Sequence, residues 1–210
     1  MGTSSKLILV VAIFATTISS TCKKKLICAD ANSYSFQIGI SAYPDKDSIH
    51  VSDTLWLECN SPSNLKDLLS GNMIDYSGVK NLGTVLTLLQ FQNATNVQGA
   101  IRNFSINVIK GTQFNSSSDP TSNQEYLITE ENKIFKLKLA IIPKDTGRFV
   151  LTISNASGIH RTNDVCTKAA FEIDFQNTNQ HFYLLQLWRP DLYLTLDALG
   201  KPKVYYFKVY

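Results

Sequence analysis

Apolar side chains recur at every second position through most of the chain, the period of a strand with one buried face. Phe36, Ile38 and Ile40 alternate within residues 34–41; Leu55, Leu57 and Cys59 do so within 49–59, leaving Trp56 and Glu58 on the opposite face. Residues 84–91 and 101–109 each read as a strand. The clearest block sets Phe135, Leu137, Leu139 and Ile141 on one face, turns at Lys144-Asp145-Thr146-Gly147, and resumes with Phe149, Leu151 and Ile153. Ala169, Phe171, Ile173 and Phe175 give another strand, and residues 204–210 a last one. Within 180–188 the period changes, and Phe182, Leu185 and Trp188 share the face of a short helix. Residues 61–82 are irregular, with turn signals at Ser70-Gly71-Asn72 and Ser77-Gly78, and 115–124 form a polar exposed loop. Many short strands with turns between them predict a mainly β fold, a single β-sandwich spanning 34–210.

The amino terminus follows other rules. Lys6 precedes an uncharged apolar run, residues 7–18, which has the length of a signal-peptide core and is short for a bilayer span. Ala29-Asp30-Ala31 satisfies the small-x-small cleavage rule but lies beyond three consecutive lysines. Ser19-Ser20-Thr21-Cys22 ends the apolar run and resembles a bacterial lipoprotein processing site, with Ser19 where Leu is common. The expectation is a signal peptide at 1–21, a lipid on Cys22 and a tether at 22–33. The protein would then be exported and membrane-anchored, on the periplasmic or the surface face of a bacterial outer membrane.

Charge sharpens this division. The formal net charge is +3, from 20 basic and 17 acidic residues. Lys6, Lys23, Lys24 and Lys25 all precede the first acidic residue, Asp30; without them 16 basic residues face those 17 acidic ones. The domain is near neutral and has no basic stripe, so nucleic acid is not an expected partner. At 44% hydrophobic and 18% charged residues the chain has the composition of a folded protein with a core.

Residues 51–59 (VSDTLWLEC) resemble strand B of an immunoglobulin-like sandwich, and 145–151 (DTGRFVL) resemble its Asp-x-Gly-x-Tyr-x-Cys corner at strand F. Phe149 replaces the corner tyrosine and Leu151 the second cysteine, so the usual B-to-F disulfide cannot form. The separation of the two segments requires a large insertion. If the first strand runs parallel to 167–175, Cys28 and Cys166 reach the same end of that sandwich. Cys28–Cys166 is then the preferred disulfide, with Cys59 a buried thiol; Cys59–Cys166 stays open, because strand B ends there too. The strings 43–58, 74–84, 141–149 and 166–185 are similar to a family of uncharacterised exported lipoproteins of Bacteroidota. That resemblance implies the compartment, the anchor and a β-rich fold, and no activity.

Chemistry is sparse. His50, His160 and His181 are far apart, no CxxC, G-x-S-x-G, P-loop or H-E-x-x-H occurs, and no cofactor or metal site is expected. Asp45, Asp47 and Asp53 read as solvated turn carboxylates, and Glu130 with Glu131 as an exposed turn. The remaining candidates are aromatic: Trp56, Trp188, Tyr193, Tyr205 and Tyr206 could form a platform for a glycan or a protein. The leading expectation is a non-catalytic envelope binding module. The alternatives are a glycan-active accessory enzyme, and a structural subunit that pairs strand 204–210 with another chain.

Overall fold

The computed structural model describes residues 33–114, 120–155, 159–161, 168–176, 178–190 and 203–210. Cys22, Cys28, Cys166, Tyr193 and the segments before residue 33 lie outside these. In chain order the strands are β1 (Ser33–Tyr43), β2 (Ser48–Ile49), β3 (Leu55–Pro62), β4 (Asn64–Lys66), β5 (Met73–Asp75), β6 (Val79–Lys80), β7 (Gly83–Phe91), β8 (Val97–Gly99) and β9 (Phe104–Lys110). They continue as β10 (Thr112–Phe114), β11 (Asn123–Leu127), β12 (Thr129–Glu131), β13 (Ile134–Pro143), β14 (Gly147–Asn155), β15 (His160–Arg161) and β16 (Lys168–Phe175). Helix α1 (Tyr183–Trp188) and β17 (Val204–Val209) complete the described chain.

Two large sheets carry the fold. The first runs β12-β13-β3-β1-β16, with β9 also on β13; the second runs β10-β11-β7-β14-β17-β2, with β8 also on β7. Each alternating segment faces inward with the residues its period selected. Phe36, Ile38, Leu57, Leu137 and Ile173 from the first sheet join Leu86, Leu88, Leu151, Ile153 and Phe207 from the second in one buried cluster. Phe104 of the first sheet meets Phe149 of the second edge-to-face, with ring centroids 4.9 Å apart. The chain is therefore a β-sandwich.

β1 and β16 pair in parallel, Ser33 opposite Lys168 through Ile40 opposite Phe175. Cys59 is a buried free thiol whose Sγ lies 3.7 Å from the Phe135 carbonyl oxygen; burial pushes its pKa up to about 12. One reading is corrected: Glu130 and Glu131 belong to β12, paired with Phe135 and Ile134 across a tight connection, and are not a free turn. Asn132 and Lys133 make that connection with positive φ of 52° and 60°, so the turn lies two residues further on.

The irregular stretch 61–82 forms the β4–β5 hairpin. It docks beside the start of β1: the Leu68 N–H donates to the Ser35 carbonyl at 2.7 Å, and the Ser35 N–H donates to the Asp67 carboxylate at 2.8 Å.

Candidate binding face on the first sheet

Because successive residues of a strand point to opposite faces, packing Leu55, Leu57 and Cys59 inward sends Trp56, Glu58 and Asn60 outward. The same rule sends Lys136, Lys138 and Ala140 outward from β13. Register then sets these side chains in rows across the strands. Ala140 pairs with Trp56, and Trp56 with Tyr43; Lys138 pairs with Glu58, and Glu58 with Ser41; Lys136 pairs with Asn60.

A register shift on β9 extends the second row. Val108 pairs with Leu139, yet Lys110 pairs with Lys138, so Ile109 is an extra residue bulged outward. Gly111 follows with φ of +96°, and a Cβ there would come within 2.7 Å of the Leu127 carbonyl oxygen. Only glycine lets the chain leave the first sheet at that point and enter the second as β10.

Tyr43 and Trp56 stack with ring centroids 6.4 Å apart and 20° between their planes. Lys138 Nζ stands 5.2 Å from the Trp56 ring centroid and 5.6 Å from that of Tyr43. Glu58 Oε2 accepts from the Tyr43 hydroxyl at 2.6 Å and from Lys138 Nζ at 3.3 Å. These contacts hold the Glu58 carboxyl below its ordinary range, the Tyr43 hydrogen bond leading. The Tyr43 hydroxyl is raised, first by burial and then by its bond to the carboxylate. Lys138 is raised by its contacts with Tyr43 and Glu58.

Beside this cluster runs a groove of about 280 Å³, lined by Glu58, Asn60, Ile109, Lys110, Lys136 and Lys138 among others. Two lysines directly opposite on neighbouring strands repel each other. Lys110 and Lys138 tolerate it because Glu131 bridges Lys110 and Lys136, each at 3.1 Å, while Glu58 holds Lys138. Three lysines thus face two carboxylates, and the groove keeps one positive charge in excess beside an aromatic pair.

Of the five aromatics expected as a platform, the four that are described do not share one exposed face. Trp56 is partly exposed on the face just described. Tyr205 lies in the main core, its hydroxyl donating to the Lys46 carbonyl at 2.6 Å. Trp188 and Tyr206 lie in a second buried cluster with Val150, Leu184 and Leu185. α1 lies on that sheet, so β17 is covered on both faces and its aromatics pack rather than bind. Tyr193 is outside the described residues. Alternation along β3 and β13 singled out the outward positions, but the meeting of Tyr43, Lys110, Lys136 and Lys138 around Trp56 depends on pairings distant in sequence.

The turn carboxylates face solvent, Asp45 and Asp53 exposed and Asp47 half-buried, and each also accepts hydrogen bonds. Asp45 sits 3.3 Å from Nε2 of the buried His181 and accepts from the Asn179 N–H at 2.9 Å. Asp47 accepts from the Tyr183 hydroxyl, which lowers its pKa, and Asp53 from the His50 N–H at 2.8 Å. The Asp45 and Asp47 bonds strap the β1–β2 loop onto α1 and the residues just before it. The Lys208 N–H donates to the Asp47 carbonyl at 2.9 Å and ties the loop to β17, and the Asp53 bond closes the turn after β2. Among the described residues no group of three His, Cys, Asp or Glu side chains could hold a metal ion, and no helix is long and apolar enough to cross a membrane.

No protein-family model and no curated protein matches the chain. Among solved structures it is similar to the human F-spondin reeler domain (fragment 1) at 13% identity, covering 72% of this chain and 91% of that one, with a TM-score of 0.35. A likeness that distant carries no argument about function.

Proposed function

We propose that this is a non-catalytic, lipid-anchored binding module of a bacterial cell envelope, and that it engages an acidic glycan through the outer face of the first sheet. The observation that carries this reading is the stacked Tyr43–Trp56 pair beside a groove with one cation in excess. An aromatic face offers a sugar ring a flat apolar surface. The lysines offer charge-assisted hydrogen bonds to a carboxylate or sulfate, and Asn60 and Glu58 can pair with hydroxyls. The anchor is the lipid on Cys22, and Cys28–Cys166 is the disulfide; the parallel pairing of β1 with β16 supports that choice, since each cysteine shortly precedes one of the two strands.

The alternative in which the last strand is lent to another chain has less support. β17 is paired with β14 over Val204–Val209 and with β2 at its end, and Tyr205 and Phe207 lie in the core.

Isothermal titration of the full chain with uronate-containing and neutral oligosaccharides tests the proposal. Trp56→Ala should weaken binding of the acidic ligand about 30-fold, the scale of a central aromatic contact. An unchanged affinity, or no binding of any glycan by the wild type, would remove this face from consideration.

A further inference from the structure

The tip of the β4–β5 hairpin presents apolar side chains to solvent on a rigid frame. Leu68 is 51% exposed, Leu69 70% and Met73 58%. Three of the ten large hydrophobic residues exposed in the described chain therefore fall within six positions. Scattered exposed leucines need no explanation, but a rimmed cluster marks a contact surface.

The frame is built around Asp67. Its carboxylate accepts from the backbone N–H groups of Ser35, Leu69 and Ser70 and from the Ser70 hydroxyl, at 2.8, 3.3, 2.9 and 2.6 Å. Gly71, at φ of +76°, closes the turn and donates to the Asp67 carbonyl at 2.8 Å. The leucines are thus held outward and cannot fold back to cover themselves.

Place decides the occupant. Two hydrogen bonds, one from the Leu68 N–H and one to the Asp67 carboxylate, fix the tip to the Ser35 backbone, two residues after the described chain begins at Ser33. On the lipid-anchor reading, on which this inference rests, everything between Ser33 and Cys22 is a short tether, so the end of the sandwich carrying Ser35 is held near the bilayer. Lys66, opposite Met73 in the hairpin, and Lys168, opposite Ser33, are exposed at that same end. An apolar tip with a basic rim matches an anionic lipid interface.

We infer that Leu68, Leu69 and Met73 insert into the lipid surface beside the anchor, setting the orientation of the domain on the membrane. The test uses the full chain, made in a bacterium that processes lipoproteins and reconstituted in phosphatidylethanolamine–phosphatidylglycerol vesicles carrying brominated acyl chains. Tryptophan is introduced as Leu69→Trp, as Leu68→Trp, and as Leu187→Trp on α1, where the exposure of 70% equals that of Leu69. Wild-type fluorescence from Trp56 and Trp188 is subtracted. Both hairpin tryptophans should be quenched, most by bromines near the head groups, because interfacial side chains sit about 5–10 Å into the boundary. The α1 tryptophan should not. Vesicle flotation separates the two ideas. Chain that floats with neither hairpin tryptophan quenched, or with all three quenched alike, overturns the inference and leaves the anchor standing. Chain that does not float overturns both. A hairpin tryptophan that responds only when envelope proteins are added assigns the tip to a protein partner and also overturns the inference.

Discussion

Tyr205 shows how one side chain changes role with its surroundings. In sequence it is one of two adjacent tyrosines near the chain end. In the fold its ring is fully buried against Phe175 and Phe207, and its hydroxyl reaches the Lys46 carbonyl at 2.6 Å. Burial raises the pKa of that hydroxyl above its ordinary value, so it remains a proton donor at neutral pH. Tyr205→Phe keeps the ring and removes one buried hydrogen bond. The expected cost is about 1 kcal/mol, or roughly 3 °C in melting temperature for a domain of this size. Calorimetric melting of the two proteins measures it, and glycan affinity should not change. A variant with altered affinity and unchanged melting would return Tyr205 to the candidate binding residues.

The turn of the β4–β5 hairpin is organised around an ionised group, the Asp67 carboxylate. Its four bonds pull the Asp67 carboxyl down to about 2, the Ser35 N–H contributing most. A lowered folded-state pKa gives stability that is fully present above the unfolded value near 4 and is lost as pH falls from there towards 2. Asp67→Asn should therefore be less stable than wild type above pH 4, and the gap should close on acidification. Melting temperatures measured from pH 6 to pH 2 decide this; a gap constant with pH would mean that the carboxylate charge is not what holds the turn. Elements also mark what could be read in advance. β1, β3, β13, β14 and β16 were legible because each has one face in the core, which imprints a period of two on the sequence. β17 was legible as a strand but not as a core strand, because α1 buries its second face and erases the alternation that would have told Tyr206 from an exposed residue. The candidate face was half legible. Trp56 and Glu58 share a strand and their parity is plain, whereas Lys110 reaches the row only through the bulge at Ile109, a one-residue shift that no local pattern announces.

For the whole molecule, anchor, clasp and core thiol make one joint statement about its four cysteines. If Cys22 carries a lipid and Cys28 is bridged to Cys166, a single thiol remains, and that is Cys59. It is buried, and its pKa near 12 leaves almost no thiolate at pH 8, so it should not react with a disulfide reagent while the protein is folded. The raised folded value also means that stability is unaffected below the unfolded value near 9 and declines as pH rises from there towards 12. Counting thiols in the membrane-extracted full chain tests all three assignments at once. The expected result is none in the native state and one in guanidinium, with alkylation mapping to Cys59 on peptide analysis. Three thiols in guanidinium would mean that Cys28 and Cys166 are not joined. Two would mean that Cys22 is free. A single thiol mapping to Cys28 would join Cys59 to Cys166 instead, and would require the end of β3 to open, since Cys59 now packs between the sheets. The count thus weighs the clasp between β1 and β16 against a rearranged core.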